Sequence, residues 1–180
     1  MPSQTLTAKQ QSFIQQQKLF FVATAPRADT GLINLSPKGL DGTLAILDPS
    51  TVAYLDLTGS GVETIAHLKE NGRICLMFCA FDGQPNILRI QGTGDVLEPD
   101  HPNYQDLAQH FTNLPGARAI IRIKAQRIAD SCGFGVPLMA YQGERDELIT
   151  WANKKGPKGV ANYQAKKNRT SLDGLPGITP

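Results

Sequence analysis

The stretch VAYLDLTGSGVETIAHLKENGRICLMF, residues 52–78, decides the fold. Its first part, together with Thr51 before it, is apolar or β-branched up to Leu57, which predicts a strand. The glycines of TGSG then break this strand, and residues 62–70 predict the one clear helix inside a region rich in strand signals. The next strand is predicted over residues 73–81, where an arginine is followed by an apolar run. A strand, a glycine turn, a helix and a second strand therefore follow one another at the centre of the chain.

Short strand signals continue on both sides of this central unit. Glycine and proline residues separate them, and most of the predicted connections are short. We predict further strands over residues 20–24, 32–36, 43–47, 87–97 and 118–130, and further helices over residues 7–18, 104–111, 144–154 and 158–167. Because strands outnumber helices, the sequence predicts a mainly β fold, an antiparallel barrel with flanking helices.

Length and composition bound the domain organisation. The chain has 180 residues, 41% of them hydrophobic, which suits a single domain over residues 1–180. The longest apolar run, residues 74–81, is far shorter than the roughly 20 residues of a membrane-spanning helix. The N-terminal residues do not resemble a secretory signal, and three cysteines without a CxxC spacing argue against disulfides and structural zinc. We therefore expect a cytoplasmic protein without a membrane segment or a metal.

Charge is distributed unevenly along the chain. Eighteen basic and sixteen acidic side chains leave a net charge of +2, which is too small to indicate nucleic acid as the main partner. Six basic residues and one acidic residue follow residue 153, and a basic helical extension is predicted from about residue 142 to residue 180. This extension is either a solvated helix surface or a segment that closes over an anionic ligand.

The glycine turn at residues 58–61 is the first candidate site. Ser60 and Glu63 have the spacing of a capping box at the start of the predicted helix. The glycines also leave backbone N–H groups and the helix dipole free to bind an anion such as phosphate. Thr64 and His67 are three residues apart on the same helix, so they share one side of it and could face a ligand together.

The stretch INLSPKG, residues 33–39, is the second candidate site. Pro37 interrupts the predicted strand and biases Ser36 toward an extended backbone. The interrupted strand forms either an exposed turn with a surface lysine or a place where a planar heterocycle bonds to the open backbone. In the second case Lys38 would offset negative charge that develops on the heterocycle.

Two charged side chains stand in otherwise apolar strands, where a charge is paired, exposed or placed for a ligand. They are Asp56, at the end of the strand before the glycine turn, and Arg89. The sequence contains no GxSxG or HExxH motif, and its three histidines lack a metal-ligand arrangement. Hydrolase and metalloenzyme functions therefore lose most of their support.

Four motifs taken together resemble a known family. They are FFVATA at 20–25, INLSPKG at 33–39, the central stretch at 52–78 and ILRIQGTGDV at 87–96. Their order and spacing resemble, over about residues 10–130, the pyridoxamine 5′-phosphate oxidase-like family of split β-barrel flavoproteins. The resemblance implies a split β-barrel of about six antiparallel strands. It also implies a homodimer that binds FMN in a cleft at the subunit interface, with contacts from both chains.

The resemblance assigns two strands to the flavin. The family's flavin-contacting strand, with its terminal lysine, corresponds to Asn34, Ser36, Pro37 and Lys38. The strand whose end touches the flavin or its ribityl chain corresponds to Leu55, Asp56 and Leu57. Both assignments are expectations carried over from the family's pattern.

The phosphate end departs from that pattern. The basic pair that holds the phosphate in the family falls near Glu63 and Thr64, and a glutamate cannot neutralise a phosphate. The resemblance therefore implies that Lys38, Arg89, helix N–H groups or the partner chain meet this charge. Further expected contributors to cofactor binding are Thr58, Thr64 and His67.

The function that the resemblance implies is an FMN-dependent oxidoreductase in which the protein supplies no nucleophile. The sequence lacks the C-terminal Trp and Arg pattern of the true oxidase and its substrate-binding Arg, Tyr and Ser residues, so pyridoxamine phosphate is not the expected substrate. Two alternatives stay open. One is a reductase of the same fold that uses the deazaflavin F420, whose acidic polyglutamate would suit the basic tail. The other is a non-catalytic protein that binds a flavin or a tetrapyrrole-sized ligand.

Overall fold

The computed structural model describes residues 3–179, in which seven strands and four helices form. The helices are α1 (Ala8–Gln16), α2 (Glu63–Asn71), α3 (Tyr104–Ala108) and α4 (Glu147–Lys167). The strands are β1 (Phe20–Thr24), β2 (Asn34–Lys38), β3 (Leu44–Asp48), β4 (Thr51–Leu57), β5 (Arg73–Cys79), β6 (Ile87–Leu97) and β7 (Ala117–Ser131). None of the helices in the described part combines the length and the hydropathy of a membrane span.

All seven strands belong to one sheet, in the order β2-β1-β5-β6-β7-β4-β3. Every neighbouring pair is antiparallel. The two longest strands, β6 and β7, pair with each other at its centre. The mainly β, antiparallel architecture predicted from the sequence is therefore confirmed, and β4 and β6 have the predicted bounds.

β2 differs from its prediction. We predicted a strand over residues 32–36 that Pro37 would interrupt, but the strand runs from Asn34 to Lys38 with Pro37 inside it. The reason is its place in the sheet, because β2 is an edge strand that pairs only with β1. An edge strand leaves one row of N–H groups outside the ladder, so a proline is tolerated there.

α4 is bent in the middle. Gly156 has φ 65° and ψ 169°, and Pro157 opens the second half of the helix. The rings of Trp151 and Tyr163, one from each half, pack edge to face with their centroids 5.0 Å apart. The two helices predicted over residues 144–154 and 158–167 are the two halves of this element.

β4 separates two hydrophobic clusters, because alternate side chains of a strand point to opposite faces. Val52 and Tyr54 belong to the main core, into which α2 also packs. Ala53 and Leu55 belong to a second cluster under α3. Asp56 continues the first series, so its carboxylate points to the side of the main core. A charge in that position needs partners.

Gly92 lies where the pairing register of β6 and β7 shifts. A Cβ at this position would lie 2.1 Å from the main-chain oxygen of Lys124, and that oxygen cannot move without moving the strand. We expect Gly92→Ala to lower the free energy of unfolding by about 1–3 kcal/mol, as overpacking does. Gly135→Ala is the control, because nothing lies within 4 Å of a Cβ there. Equal urea midpoints for the two variants would contradict this expectation.

Candidate functional site

Asp56 is the centre of the candidate site. Its side chain is fully buried at the end of β4 and contacts two cations. Lys38 Nζ donates to Oδ1 over 2.8 Å, and Arg118 Nε donates to Oδ2 over 2.7 Å. Both carboxylate oxygens are therefore bonded, and the pair of cations leaves the cluster with a net positive charge.

A bulge brings Arg118 to this position. The pairing register of β4 with β7 shifts between Asp56 and Leu57, which leaves Arg118 as the extra residue on β7. Its side chain is buried, and Nη1 donates to the carbonyl of Gly61 over 2.8 Å. Arg118 therefore connects the Asp56 carboxylate to the glycine turn.

The two cations keep Asp56 ionised. Burial alone would raise the pKa of the Asp56 carboxyl, but the charges and hydrogen bonds of Lys38 and Arg118 together outweigh it and hold this pKa below its ordinary value. The side chain of Lys38 is 22% exposed, so its ammonium is fixed on one side and open to a ligand on the other.

Tyr54 lies beside Lys38, whose Nζ is 5.8 Å from the centroid of the tyrosine ring. The tyrosine is fully buried, and its hydroxyl makes no hydrogen bond within residues 3–179. Burial and the nearby Asp56 carboxylate raise the pKa of Tyr54 well above its ordinary value. The cluster therefore contains an uncharged phenol next to a fixed positive charge.

A chain of hydrogen bonds connects β2 with α2. Asn34 Nδ2 donates to Oγ1 of Thr64 over 3.0 Å and to Oγ1 of Thr24 over 3.2 Å. Oγ1 of Thr24 also lies 3.0 Å from Nδ1 of His67. Because Thr24 already accepts from Asn34 and meets no other acceptor in the described part of the chain, its hydroxyl donates to Nδ1. His67 therefore carries its proton on Nε2.

His67 Nε2 faces the C-terminal residues. The ring is fully buried, and among the described residues Nε2 has no hydrogen-bond partner. Oδ2 of Asp173 lies 3.6 Å from it. The Asp173 carboxylate also accepts the backbone N–H of Leu32, over 3.2 and 3.3 Å to its two oxygens. The C-terminal segment that carries Asp173 therefore contacts both α2 and the loop before β2, although it is distant from them in sequence.

The start of α2 does not form the predicted capping box. Its N-cap is Val62, without a side-chain cap, and Ser60 is exposed. The Glu63 carboxylate instead accepts the backbone N–H of Leu172 over 3.3 Å. The capping box is absent because the helix begins at Glu63, which makes Glu63 its first residue instead of the third residue after an N-cap at Ser60.

The glycine turn is fastened to the second half of α4. Thr58 Oγ1 donates to the carbonyl of Gly116 over 2.7 Å and accepts Nε2 of Gln164 over 2.7 Å. Asn168 Nδ2 donates to the carbonyl of Gly59 over 3.0 Å. The basic extension predicted from the sequence therefore packs against the edge of the candidate site.

The structure brings most of the predicted site residues together. The cluster on the inward side of β2, β4 and α2 contains Asn34, Lys38, Asp56, Thr64 and His67, with Ser36 on the same side of β2. Thr58 begins the glycine turn and Glu63 begins α2, two residues after the turn ends.

Other predicted residues lie elsewhere. Pro37 is exposed on the outer side of β2, and Leu55 and Leu57 pack in the second cluster under α3. Arg89 alternates with buried residues of β6, so it lies on the outer face of the sheet, where Nη1 donates to Ser131 Oγ over 3.0 Å. Arg89 is therefore separate from the Asp56 cluster of its own chain. In the described part of the chain, no three acidic, histidine or cysteine side chains are arranged to hold a metal ion.

Sequence reasoning missed four members of the cluster, which are Thr24, Tyr54, Arg118 and Asp173. Arg118 opens a stretch in which charged residues alternate with isoleucine and alanine, a pattern that predicts exposed charges. The bulge reverses that prediction. Tyr54 carried a usable signal, because it alternates with Val52 and Asp56 on β4.

The comparison with known proteins agrees with the motifs. The sequence matches the family model described as pyridoxamine 5′-phosphate oxidase over residues 6–132. The chain belongs to this family. It is also similar to the pyridoxamine 5′-phosphate oxidase family protein ustO of Aspergillus flavus, with 44% identity over 179 residues, 91% of this chain and 72% of the relative.

Solved structures show the same fold, and one of them is described as a member of the pyridoxinephosphate oxidase family. HupZ from Group A Streptococcus matches 75% of this chain and 99% of its own, with a TM-score of 0.56 and 22% identity. The Clostridium acetobutylicum protein related to general stress protein 26 matches 69% and 86%, with a TM-score of 0.53 and 16% identity. An FAD-binding protein from Mesorhizobium loti matches 70% and 94%, with a TM-score of 0.50 and 15% identity. The split β-barrel predicted from the motifs is confirmed.

Proposed function

We propose that this protein binds FMN and acts as an FMN-dependent oxidoreductase on a substrate other than pyridoxamine phosphate. Membership of the family supports a flavin. One structural observation carries the proposal: the lysine that the family's pattern assigns to the flavin is backed by a fully buried carboxylate and a buried arginine. Buried charge networks of this kind stabilise poorly and are typical of functional sites. Three free cysteines support a reducing, cytoplasmic location.

The cluster suits the ring end of a flavin. Bound FMN would supply hydride or electron transfer at its N5 atom. Lys38 would place a fixed positive charge beside the part of the ring that becomes negative. Asp56 and Arg118 would hold Lys38 there, and the buried Tyr54 would keep water from the side away from the ligand. Asn34 would present its amide from the same side of β2.

The phosphate end does not fit in the observed conformation. Glu63 stands at the start of α2, and the Asp173 carboxylate lies one turn further along, at His67. The partly exposed Lys38 and the buried Arg118 both bond to Asp56. A phosphate placed at α2 would therefore have to displace a carboxylate.

We also propose that the protein is a homodimer that uses the outer face of β2, β1 and β5. Leu35 on this face is 64% exposed and lies opposite Ala23, and the adjacent Ile33 is 80% exposed. Neighbouring exposed apolar side chains of this kind are typical of an interface. Arg89 lies on the same outer side of the sheet, which would place it next to the partner's cofactor instead of its own.

Leu35→Asp tests the dimer. A charge in the centre of an apolar interface loses its water shell without gaining a partner, so we expect the variant to be monomeric at concentrations where the wild type is a dimer. Gln105→Asp, on the exposed side of α3, is the control and should leave the dimer intact. Sedimentation velocity distinguishes the two. A Leu35→Asp variant that sediments like the wild type would remove this face as the interface.

A fluorescence titration tests cofactor binding. FMN fluorescence is expected to be quenched on addition of the protein, and F420 should compete weakly for the same site. Displacement of FMN by F420 at equal concentration would support the F420-dependent alternative. The exposed lysines of α4 favour that alternative, because F420 carries an acidic polyglutamate. Absence of quenching at every protein concentration would contradict the proposal.

Anaerobic mixing with NADH or NADPH tests the reaction. If the protein is an oxidoreductase, the visible absorption bands of its bound flavin are expected to disappear faster than those of free FMN. The bands should return when an electron acceptor is added. Free FMN at the same concentration is the control. Binding without reduction by any donor would instead indicate the non-catalytic flavin-binding alternative.

A further inference from the structure

The outer face of β2, β1 and β5 is too small to hold a stable dimer by itself. Phe21 and Met77 are half-buried on this face, and Leu35 is exposed. β1 and β2 are each 5 residues long. At a spacing of about 4.8 Å, three strands of this length cover only about 250 Å². A stable dimer buries about 800 Å² on each partner, so a dimer on this face needs further surface even if side-chain relief doubles its area.

The aromatic arm, which we define as residues 132–141, begins at the end of this face where β5 stops and β6 starts. Ser131, the last residue of β7, pairs with Ile87 at the start of β6. Further along, the Met139 N–H donates to the carbonyl of Phe81, just beyond β5, over 2.8 Å. Four large apolar side chains of the arm are more than half exposed, and these are Phe134, Leu138, Met139 and Tyr141. The arm therefore adds apolar surface where the face ends.

A fixed turn presents Phe134 to solvent. The Val136 N–H donates to the carbonyl of Gly133 over 2.9 Å, which closes a turn with Phe134 at its first central position. Gly133 has φ 66°, and a Cβ there would lie 2.7 Å from the main-chain nitrogen of Asn86, so the turn packs closely against the chain before β6. The Phe134 residue is 82% exposed. A turn that is held in place before binding loses less conformational entropy when it enters a partner.

A groove lies at the opposite end of the outer face, where β1 ends and β5 begins. It has a volume of about 350 Å³, and its lining includes Ala23, Ile33, Cys75 and Gln91. A cavity of about 150 Å³ is enough for a benzene ring, so this groove has room for a phenylalanine side chain. Among the described residues, none of those that line the groove comes from the aromatic arm of the same chain.

We propose that Phe134 of each copy inserts into this groove of the other copy. This inference rests on the homodimer of the proposed function. A twofold axis that lies between two sheets and runs across their strands places the end with the turn over the end with the groove. One symmetric contact then fills both grooves. The outer face lies between the two insertions, so the arm supplies the surface that the face lacks.

The variant Phe134→Ala tests whether the ring lies in the interface. We expect it to raise the dissociation constant of the dimer about 100-fold, because the dimer buries this apolar side chain twice. Gln105→Ala, on the exposed side of α3, is the control and should dimerise like the wild type. Sedimentation velocity over a dilution series gives both constants, and thermal unfolding checks that each variant is folded.

Two charged variants test which surfaces meet. Ile33 lines the groove and is exposed in the loop before β2, so Ile33→Asp and Phe134→Lys should each give mostly monomer. An equimolar mixture should form dimers, because one contact then pairs the two introduced charges and the other keeps both native side chains. A fluorescent label on the Ile33→Asp chain lets sedimentation follow that chain alone. Gln105→Lys is the control partner, and it should bind the labelled chain more weakly than Phe134→Lys does.

The remaining outcomes separate this inference from the dimer on which it rests. A monomeric Leu35→Asp together with a wild-type-like Phe134→Ala would remove the arm from the interface and leave the outer face in it. Two monomeric charged variants whose mixture stays monomeric would show that Phe134 does not meet the groove. A wild type that is monomeric at every concentration would contradict the homodimer and, with it, this inference.

Discussion

Asp56→Asn is expected to lower the free energy of unfolding by about 3–5 kcal/mol, the loss typical when one member of a buried ionic network is removed. The reason is that Arg118 is almost completely buried and would keep its charge without a counter-ion. Lys38 would lose the same partner but can turn toward solvent, so most of the effect comes from Arg118. Urea unfolding of wild type and variant measures the difference.

Asp95→Asn is the matched control for this prediction. Asp95 accepts from Arg122 over 2.9 Å, but the Asp95 side chain is 60% exposed and that of Arg122 is 34% exposed. Exposed ion pairs contribute at most about 1 kcal/mol, so this variant should unfold close to the wild type. If Asp56→Asn is no less stable than Asp95→Asn, the Asp56 network is not an essential part of the fold.

Asp56→Asn is also expected to change how the free energy of unfolding depends on pH. The folded-state pKa of Asp56 lies below its ordinary value of 3.8, so the unfolded chain binds the proton first as the pH falls. The contribution of the ionised carboxylate is therefore fully present above pH 3.8 and is lost as the pH falls through the lower folded-state value. Asp56→Asn should lack this acid-side loss, which unfolding curves at neutral and acid pH would show.

Lys38→Met is expected to weaken FMN binding by about 10- to 100-fold, which is the range for losing a hydrogen bond from a charged group. The variant should fold, because Arg118 still neutralises Asp56. Lys9→Met, on the exposed side of α1, is the control and should bind FMN like the wild type. Fluorescence titration gives both dissociation constants.

Two results for Lys38→Met would contradict this assignment. One is FMN binding as tight as in the wild type, which would show that the ammonium does not contact the cofactor. The other is a loss of binding accompanied by unfolding, which would assign Lys38 a structural role. A folded variant with weak binding and a changed visible flavin spectrum is the expected outcome.

The elements of the fold that the sequence predicted well are those with strong local patterns. β4 and β6 have uninterrupted apolar or alternating stretches, and their bounds match. β2 was misplaced because Pro37 acts differently in an edge strand than in a central one, and edge position depends on the whole sheet.

The candidate site was predictable only in part. Local sequence patterns single out three of its residues. Lys38 follows a proline in a strand, Asp56 is a charge in an apolar strand, and His67 lies on the helix after a glycine turn. Arg118 joins them through a bulge, which reverses the face of one residue and leaves no trace in the alternation. Asp173 reaches His67 from 106 positions further along the chain, counted from 67 to 173, and no local pattern encodes such a contact.

The central claim is that this protein holds a flavin, and size-exclusion chromatography with visible detection tests it most directly. The purified protein is mixed with excess FMN and separated from the free cofactor. We predict that visible flavin bands elute with a particle of dimer size, at one FMN per chain, and that Lys38→Met elutes with much less flavin. A colourless protein peak, with all FMN in the small-molecule fraction, would contradict the account.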